Sequence, residues 1–367
     1  MNIVLLSNHW YPSPRKAGFH HLADAWHTLG HTITFATVGF SWISWLRRDF
    51  RIRYPGIWQA RNVMQTVRPR FASYVHFTTL HPHTTMIPLL DRILSPCMDR
   101  YDRYPLGPLQ EQIRNADAII YESCSALFLV HLCRTLAPTA LHIYRVSDDI
   151  RSLRSTPVRM TEVEQEVAPY FNMISVPCPW LTTKFPHLHT VRMQRHGLLT
   201  SSFDDCHQSP YTPGSCNAVF CGVGFYDMAA VHGMAASTPD VQFHITGIER
   251  PTSDPVPTNV KYYGEIPFAQ TIPYIKFADC GLYTLRSSSR PMQAYTDSLK
   301  IIQYRYCGLP IVSPNFLDLN REGVFYYTPG DATACTLALK RALEHGRHTE
   351  YAAEVHSWIE VATSMLT

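Results

Sequence analysis

Residues 296–315 read TDSLKIIQYRYCGLPIVSPN, a helix followed by a buried strand. Asp297 or Ser298 can cap the helix, whose first turn presents backbone N–H groups and the positive end of the dipole, with Lys300 just inside it. Apolar residues then run to Gly308, a helix terminator, and LPIVSP continues without polar alternation, as a strand covered on both faces does. A helix N-terminus with a lysine beside it suits a diphosphate. An ordinary helix carrying a solvated lysine would read the same way, so the surroundings decide.

Outward from this stretch, strand and helix alternate. Upstream lie NAVFCGVG, a helical segment near AAVHGMAA, VQFHITGI, VKYYGEI, the helix PFAQTIPYIKFA and CGLYTL. Before them a polar run rich in turn formers, residues 201–214, reads as a linker. The first half alternates in the same way: NIVLLS, FHHLADAWHTLG, HTITFATVG, then ADAIIYES, SALFLVHLCRTLA and LHIYRVS, with NMISVPC and TVRMQRHG as two more strands. Two α/β units joined by a linker imply two parallel sheets facing each other across a cleft. The 367 residues exceed what one core organises, and 46% hydrophobic residues supply two. The expected division is 1–200, linker 201–214, 215–345, and a C-terminal helix, 346–367, that can return to the first domain. At 222–227, Gly222 and Gly224 satisfy GxG, but Asp227 stands at the third glycine position, which disfavours a nicotinamide enzyme.

The net charge of +3 is unevenly spread. Between Phe40 and Phe71 seven arginines face Asp49 alone, a local +6 that leaves the remainder at −3. Trp42, Trp45, Arg47, Arg48, Arg51 and Arg53 make this segment both aromatic and basic, the mixture that suits an anionic membrane surface. A solvated basic face, or tryptophans filling a core, has the same composition. No nucleic-acid motif accompanies the charge. No run of 18 apolar residues occurs, so membrane contact is expected to be peripheral. Ten cysteines without a CxxC pair, several inside apolar runs, suit a reducing compartment, and the location expected is the cytoplasmic face of the cell membrane. The 19 histidines show no zinc-hydrolase spacing and there is no DxD triplet, so neither a metal site nor a cofactor is expected.

The blocks ADAIIYES, LHIYRVSDD, YGEIPFAQTIPYIKFADCG, residues 296–315 and YTPGD, in this order and spacing, resemble the GumK-type glucuronosyltransferases, whose fold is GT-B, two Rossmann-like domains. The resemblance runs from about Ile3 to Leu343. It implies an inverting, metal-independent transfer of glucuronate from UDP-glucuronate to a mannose of a polyprenyl-diphosphate-linked oligosaccharide in exopolysaccharide assembly. The family's Y-R-x-S-D segment is here Tyr144, Arg145, Val146, Ser147 and Asp148, which makes Asp148 the catalytic base. Its place at the carboxyl end of a predicted strand agrees, although Asp148 and Asp149 could instead cap the segment IRSLRS. Asp149 replaces a family glycine and is itself a candidate cap.

On the donor side the resemblance puts Glu265, Ser298, Leu299, Lys300 and Gln303 around UDP. Gly224 and Leu285 belong to the same set but depart from the pattern, which has methionine and tyrosine there. Arg286 and Arg290 are the candidate cations for the glucuronate carboxylate. Acceptor binding falls to the first domain, with Arg15, His20 and Glu122 as candidates, each of which could equally serve a turn or a cap. The alternatives are a GT-B transferase using another UDP-sugar or acceptor, and a non-catalytic protein that binds a sugar nucleotide or lipid.

Overall fold

The computed structural model describes the whole chain apart from residues 15, 154–155, 253–254 and 289–290. It divides into two units, Met1–Arg195 with Trp358–Thr367, and His196–Ser357. The first holds strands β1 (Asn2–Ser7), β2 (Thr32–Ser41), β3 (Gln65–Arg68), β4 (Phe71–Thr78), β5 (Ala118–Glu122), β6 (Leu141–Arg145), β7 (Met173–Val176) and β8 (Val191–Met193). The second holds β9 (Cys216–Cys221), β10 (Val241–Thr246), β11 (Val260–Tyr262), β12 (Cys280–Leu282), β13 (Ile311–Pro314) and β14 (Val324–Tyr327).

The first sheet runs β3-β4-β2-β1-β5-β6-β7-β8 and the second β11-β10-β9-β12-β13-β14. Every pairing is parallel except β3 against β4. Parallel strands need crossover helices on both faces, and the central strands are accordingly rich in apolar residues and mostly buried. Val4, Ala36, Ile119, Tyr144 and Ile174 belong to one core, and Val219, Phe243, Leu282, Ile301 and Val312 to the other. In each sheet the chain order reverses beside the first strand of the unit, between β1 and β5 and between β9 and β12. Such reversals leave a crevice at the carboxyl ends of the strands.

The structure corrects the expected boundaries. The stretch 201–214 belongs to the second unit, since Phe203 is buried in its core, Lys276 donates to the Phe203 carbonyl at 2.5 Å and Tyr211 donates to the Tyr274 carbonyl at 2.5 Å. Its turn formers shape a packed surface segment. Residues 346–367 are not one helix. Thr349–Glu354 forms a 3-10 turn on the second unit, where Arg305 stacks on Tyr351 and pairs with Glu354. Trp358–Ser364 is a helix of the first unit, held by the Trp26 indole, which donates to the Ala362 carbonyl at 2.9 Å, and by His21 stacked on Trp358. Strands β3, β4 and β14 are absent from the reading of the sequence.

Candidate functional site

At the reversal in the first sheet, three strand ends bring polar groups together. Glu122 closes β5 and is buried. It accepts from Ser7 Oγ at 2.5 Å, at the end of β1, from the Asn8 N–H at 3.2 Å just after it, and from Ser147 Oγ at 3.3 Å beyond β6. His9 Nε2 lies 3.5 Å from the same carboxylate. Burial would raise the Glu122 pKa, but the charge and hydrogen bonds from His9, Ser7 and Asn8 hold it below the ordinary value. Burial would lower that of His9, and the Glu122 carboxylate reverses the sign, so His9 is held above its ordinary value.

Asp148 sits in this group, exposed to solvent, and among the described residues its side chain makes no hydrogen bond or ion pair. Partial desolvation on its protein side, then the Glu122 and Asp149 charges, push its pKa up, against an opposing pull from His9. A carboxylate without partners, destabilised in its charged form and open to solvent, is built to accept a proton. Asp149 is not a side-chain cap. It stands at the start of the turn Ile150–Ser152, but its buried carboxylate pairs with Lys184 at 2.8 Å and Arg151 at 3.2 Å. Beside the group opens a cleft of about 350 Å³ whose walls include Asn8, Arg47, His81, Ser123 and Met160.

His20 is corrected as an acceptor candidate. It is fully buried, its Nδ1 accepts from the Ala17 N–H at 2.9 Å as part of the helix start, and Nε2 lies 3.2 Å from the Trp10 carbonyl. Burial lowers its pKa to about 4, so it is a neutral packing residue. Arg15 lies outside the described residues. His9, two positions past β1, stands beside Glu122 and acts on Asp148, and the sequence reading did not single it out. It stands in the loop SNHWYPSPRKAG, and its place after a central strand is the signal that could have found it.

In the second unit the helix Leu299–Tyr306 begins at the reversal between β9 and β12. Ser298 is its N-cap residue, yet its side chain makes no capping bond, and its buried hydroxyl lies beside that of Tyr283 without a hydrogen bond of good geometry. The first N–H groups of the helix are therefore not consumed by that side chain. Asp297 is engaged by Arg321, which also donates to the Thr296 carbonyl at 3.2 Å. Lys300 extends over the Phe220 ring, 3.7 Å from its centroid, and 5.4 Å from that of Tyr283. Burial pushes its pKa down to about 7, while the aromatic faces favour the charged form. Gly222, at φ +140°, lies under it: a Cβ there would come within 3.0 Å of Lys300 Cε and Nζ.

Leu299 and Gln303 are half-buried on the same helix, Glu265 is exposed after β11, and Gly224 is exposed, with open space where a Cβ would stand. Leu285 is corrected. It is 3% exposed in the hydrophobic core, bridged through its backbone to Tyr226, and presents no side chain to a ligand. Arg286 is exposed, and its N–H donates to the Phe225 carbonyl at 2.7 Å. Arg290 lies outside the described residues. Among the described residues no three His, Cys, Asp or Glu side chains gather as a metal ion requires.

The basic segment divides. Trp42 and Trp45 are 54% and 60% exposed, and Arg47, Arg48 and Arg53 are exposed as well. Arg51 is buried: it pairs with Asp49 at 2.6 Å and donates to the carbonyls of Asn8 at 2.8 Å and Gly39 at 2.7 Å. Its expected membrane role is therefore corrected to a structural one. Arg47 donates to the Thr84 carbonyl, which links the tryptophans to a second exposed apolar run, Met86, Ile87, Leu89, Leu90 and Ile93, around the helix Pro88–Met98. That run was not anticipated. No helix among the described residues is long and apolar enough to cross a membrane.

Residues 5–177 match the family model of the N-terminal domain of glucuronosyltransferase GumK. The chain is 29% identical over 344 residues, 94% of its length and 84% of the relative's, to the UDP-glucuronate:glycolipid 2-beta-glucuronosyltransferase of Xanthomonas campestris pv. campestris. Among solved structures, trehalose-6-phosphate synthase OtsA aligns with a TM-score of 0.57 at 10% identity over 100% of this chain and 96% of that one. AviGT4, a glycosyltransferase involved in avilamycin A biosynthesis, aligns at 0.54 and 12% identity, again over 100% and 96%. These structural likenesses show the fold, which is GT-B. The resemblance to GumK-type enzymes read from the sequence holds.

Proposed function

From this likeness to the GumK-type glucuronosyltransferases, we propose that the protein is a glycosyltransferase that moves glucuronate from UDP-glucuronate to a glycolipid, with a mannose of a polyprenyl-diphosphate-linked oligosaccharide as acceptor. The observation that carries the reading is Asp148, an unpartnered carboxylate with a raised pKa at the reversal point of the first sheet. In an inverting displacement the acceptor hydroxyl oxygen attacks the anomeric carbon and its proton passes to Asp148. The bond from that carbon to the diphosphate breaks, and UDP leaves with the electron pair. Lys300 and the open N-terminus of its helix stabilise the charge that grows on the diphosphate, a role that needs no metal ion. Glu265, Leu299 and Gln303 supply further contacts to UDP, and Arg286 a cation for the sugar carboxylate. The exposed tryptophans and arginines hold the protein at an anionic membrane surface where the glycolipid resides.

The test is Asp148→Asn, which keeps shape and removes the proton acceptor. Turnover of UDP-glucuronate should fall by about 10²- to 10⁴-fold while thermal unfolding and UDP affinity stay unchanged. A variant with near-normal turnover removes Asp148 from catalysis. Offering UDP-glucose in parallel separates this donor from the second reading, a transferase that uses another UDP-sugar.

A further inference from the structure

Behind Asp148 runs a line of buried polar groups that the transfer chemistry does not use. Lys184, with a fully buried side chain, reaches Asp149 Oδ1 at 2.8 Å and Glu164 at 2.9 Å, and both carboxylates are buried too. Glu164 Oε1 accepts from the Tyr144 hydroxyl at 2.6 Å. That hydroxyl stands 3.2 Å from Ser123 Oγ, which accepts from the Ser147 N–H at 3.0 Å. Ser147 Oγ in turn donates to Glu122. The residues on either side of Asp148 are thus both tied to the interior, while Asp148 has no bond to any described residue.

Three buried charges are a poor way to gain stability, because the desolvation cost rivals the attraction and well-packed apolar groups usually do as well. What such a cluster does provide is a fixed geometry. We propose that Lys184 is a positioning residue: its ion pair with Asp149, braced by Glu164, fixes the loop 147–149 and so aims the Asp148 carboxylate. This rests on Asp148 being the base. A base displaced by about 1 Å loses roughly 10²-fold in rate, so the anchor acts on turnover.

The experiment compares Lys184→Met and Asp149→Asn with the unaltered protein in glucuronate transfer, after thermal unfolding has established that each is folded. Both should lose roughly 10²-fold in kcat with little change in KM for UDP-glucuronate. A purely structural role would move the unfolding midpoint and leave kcat of the folded protein alone. Asp149→Asn has a second readout. The groups acting on Asp148 are Glu122 at the end of β5 and Asp149 in its own loop, which raise its pKa, and His9 after β1, which lowers it, while Lys184 and Arg151 face Asp149. Removing the Asp149 charge should shift the acid limb of kcat/KM to lower pH. If Lys184→Met does not fold, Asp149→Asn, which keeps size and removes the charge that holds Lys184, decides through kcat. Unchanged kcat in the folded variants, beside an inactive Asp148→Asn, overturns the positioning role alone; an active Asp148→Asn overturns it together with the reading beneath it.

Discussion

Lys300 shows what a single side chain gains from its neighbours. Its pKa is pushed down to about 7 by burial, so in the ligand-free protein the ammonium is lost as pH rises through that value, whereas an unfolded lysine keeps its proton to about 10.5. Between these values the unfolded chain binds more protons than the folded one, so this residue makes stability rise with pH across the window. On the proposed reading, a diphosphate bound beside it restores the charge. UDP binding near pH 8 should therefore take up close to one proton, seen by calorimetry in buffers of different ionisation enthalpy, and UDP affinity should fall as pH climbs above 7; Lys300→Met should abolish both effects. Lys300 is legible from the helix start it stands in, whereas Asp148 is singled out by the family segment it matches, its place at a strand end only agreeing. The sequence hides His9 and Lys184, whose roles arise from chain segments more than a hundred residues away or from a buried partner that no local spacing reveals.

At the scale of one element, the segment after β2 reads in sequence as a single basic patch, but charge density does not tell which way a side chain points. Trp45 and Arg48 face solvent, and Arg51 turns inward to hold Asp49 and two carbonyls. The two kinds of residue should separate in one experiment. Trp42→Ala with Trp45→Ala should keep the unfolding midpoint and lose co-sedimentation with vesicles of anionic lipid, whereas Arg51→Ala should lose about 3 to 5 kcal/mol of stability because it strands a partly buried carboxylate. Raising salt should release the unaltered protein from the vesicles, since screening acts within about 8 to 10 Å. Strand β4 escapes a reading by period because it is buried on both faces and does not alternate, and β3 is only four residues long.

For the molecule as a whole, the alternation of strand and helix suffices to give two parallel sheets, while the units' limits follow from packing that composition does not show. The chain leaves the first unit after Arg195 and re-enters it at Trp358. Removing residues 358–367 should uncover Trp26, which is fully buried, and forfeit the burial of Met365, about 1.5 to 3 kcal/mol for that side chain alone. The shortened protein should melt at lower temperature and bind a hydrophobic dye, with UDP affinity retained; an unchanged midpoint would make the returning helix an ornament of the surface. The same topology sets an order of maturation. As the chain leaves the ribosome, all of residues 196–357 emerges before the helix that covers Trp26, so the half begun second can close first. Until then the earlier half keeps an open apolar seam, and a chaperone guarding this nascent chain has its work there, long after the strands around it have been made.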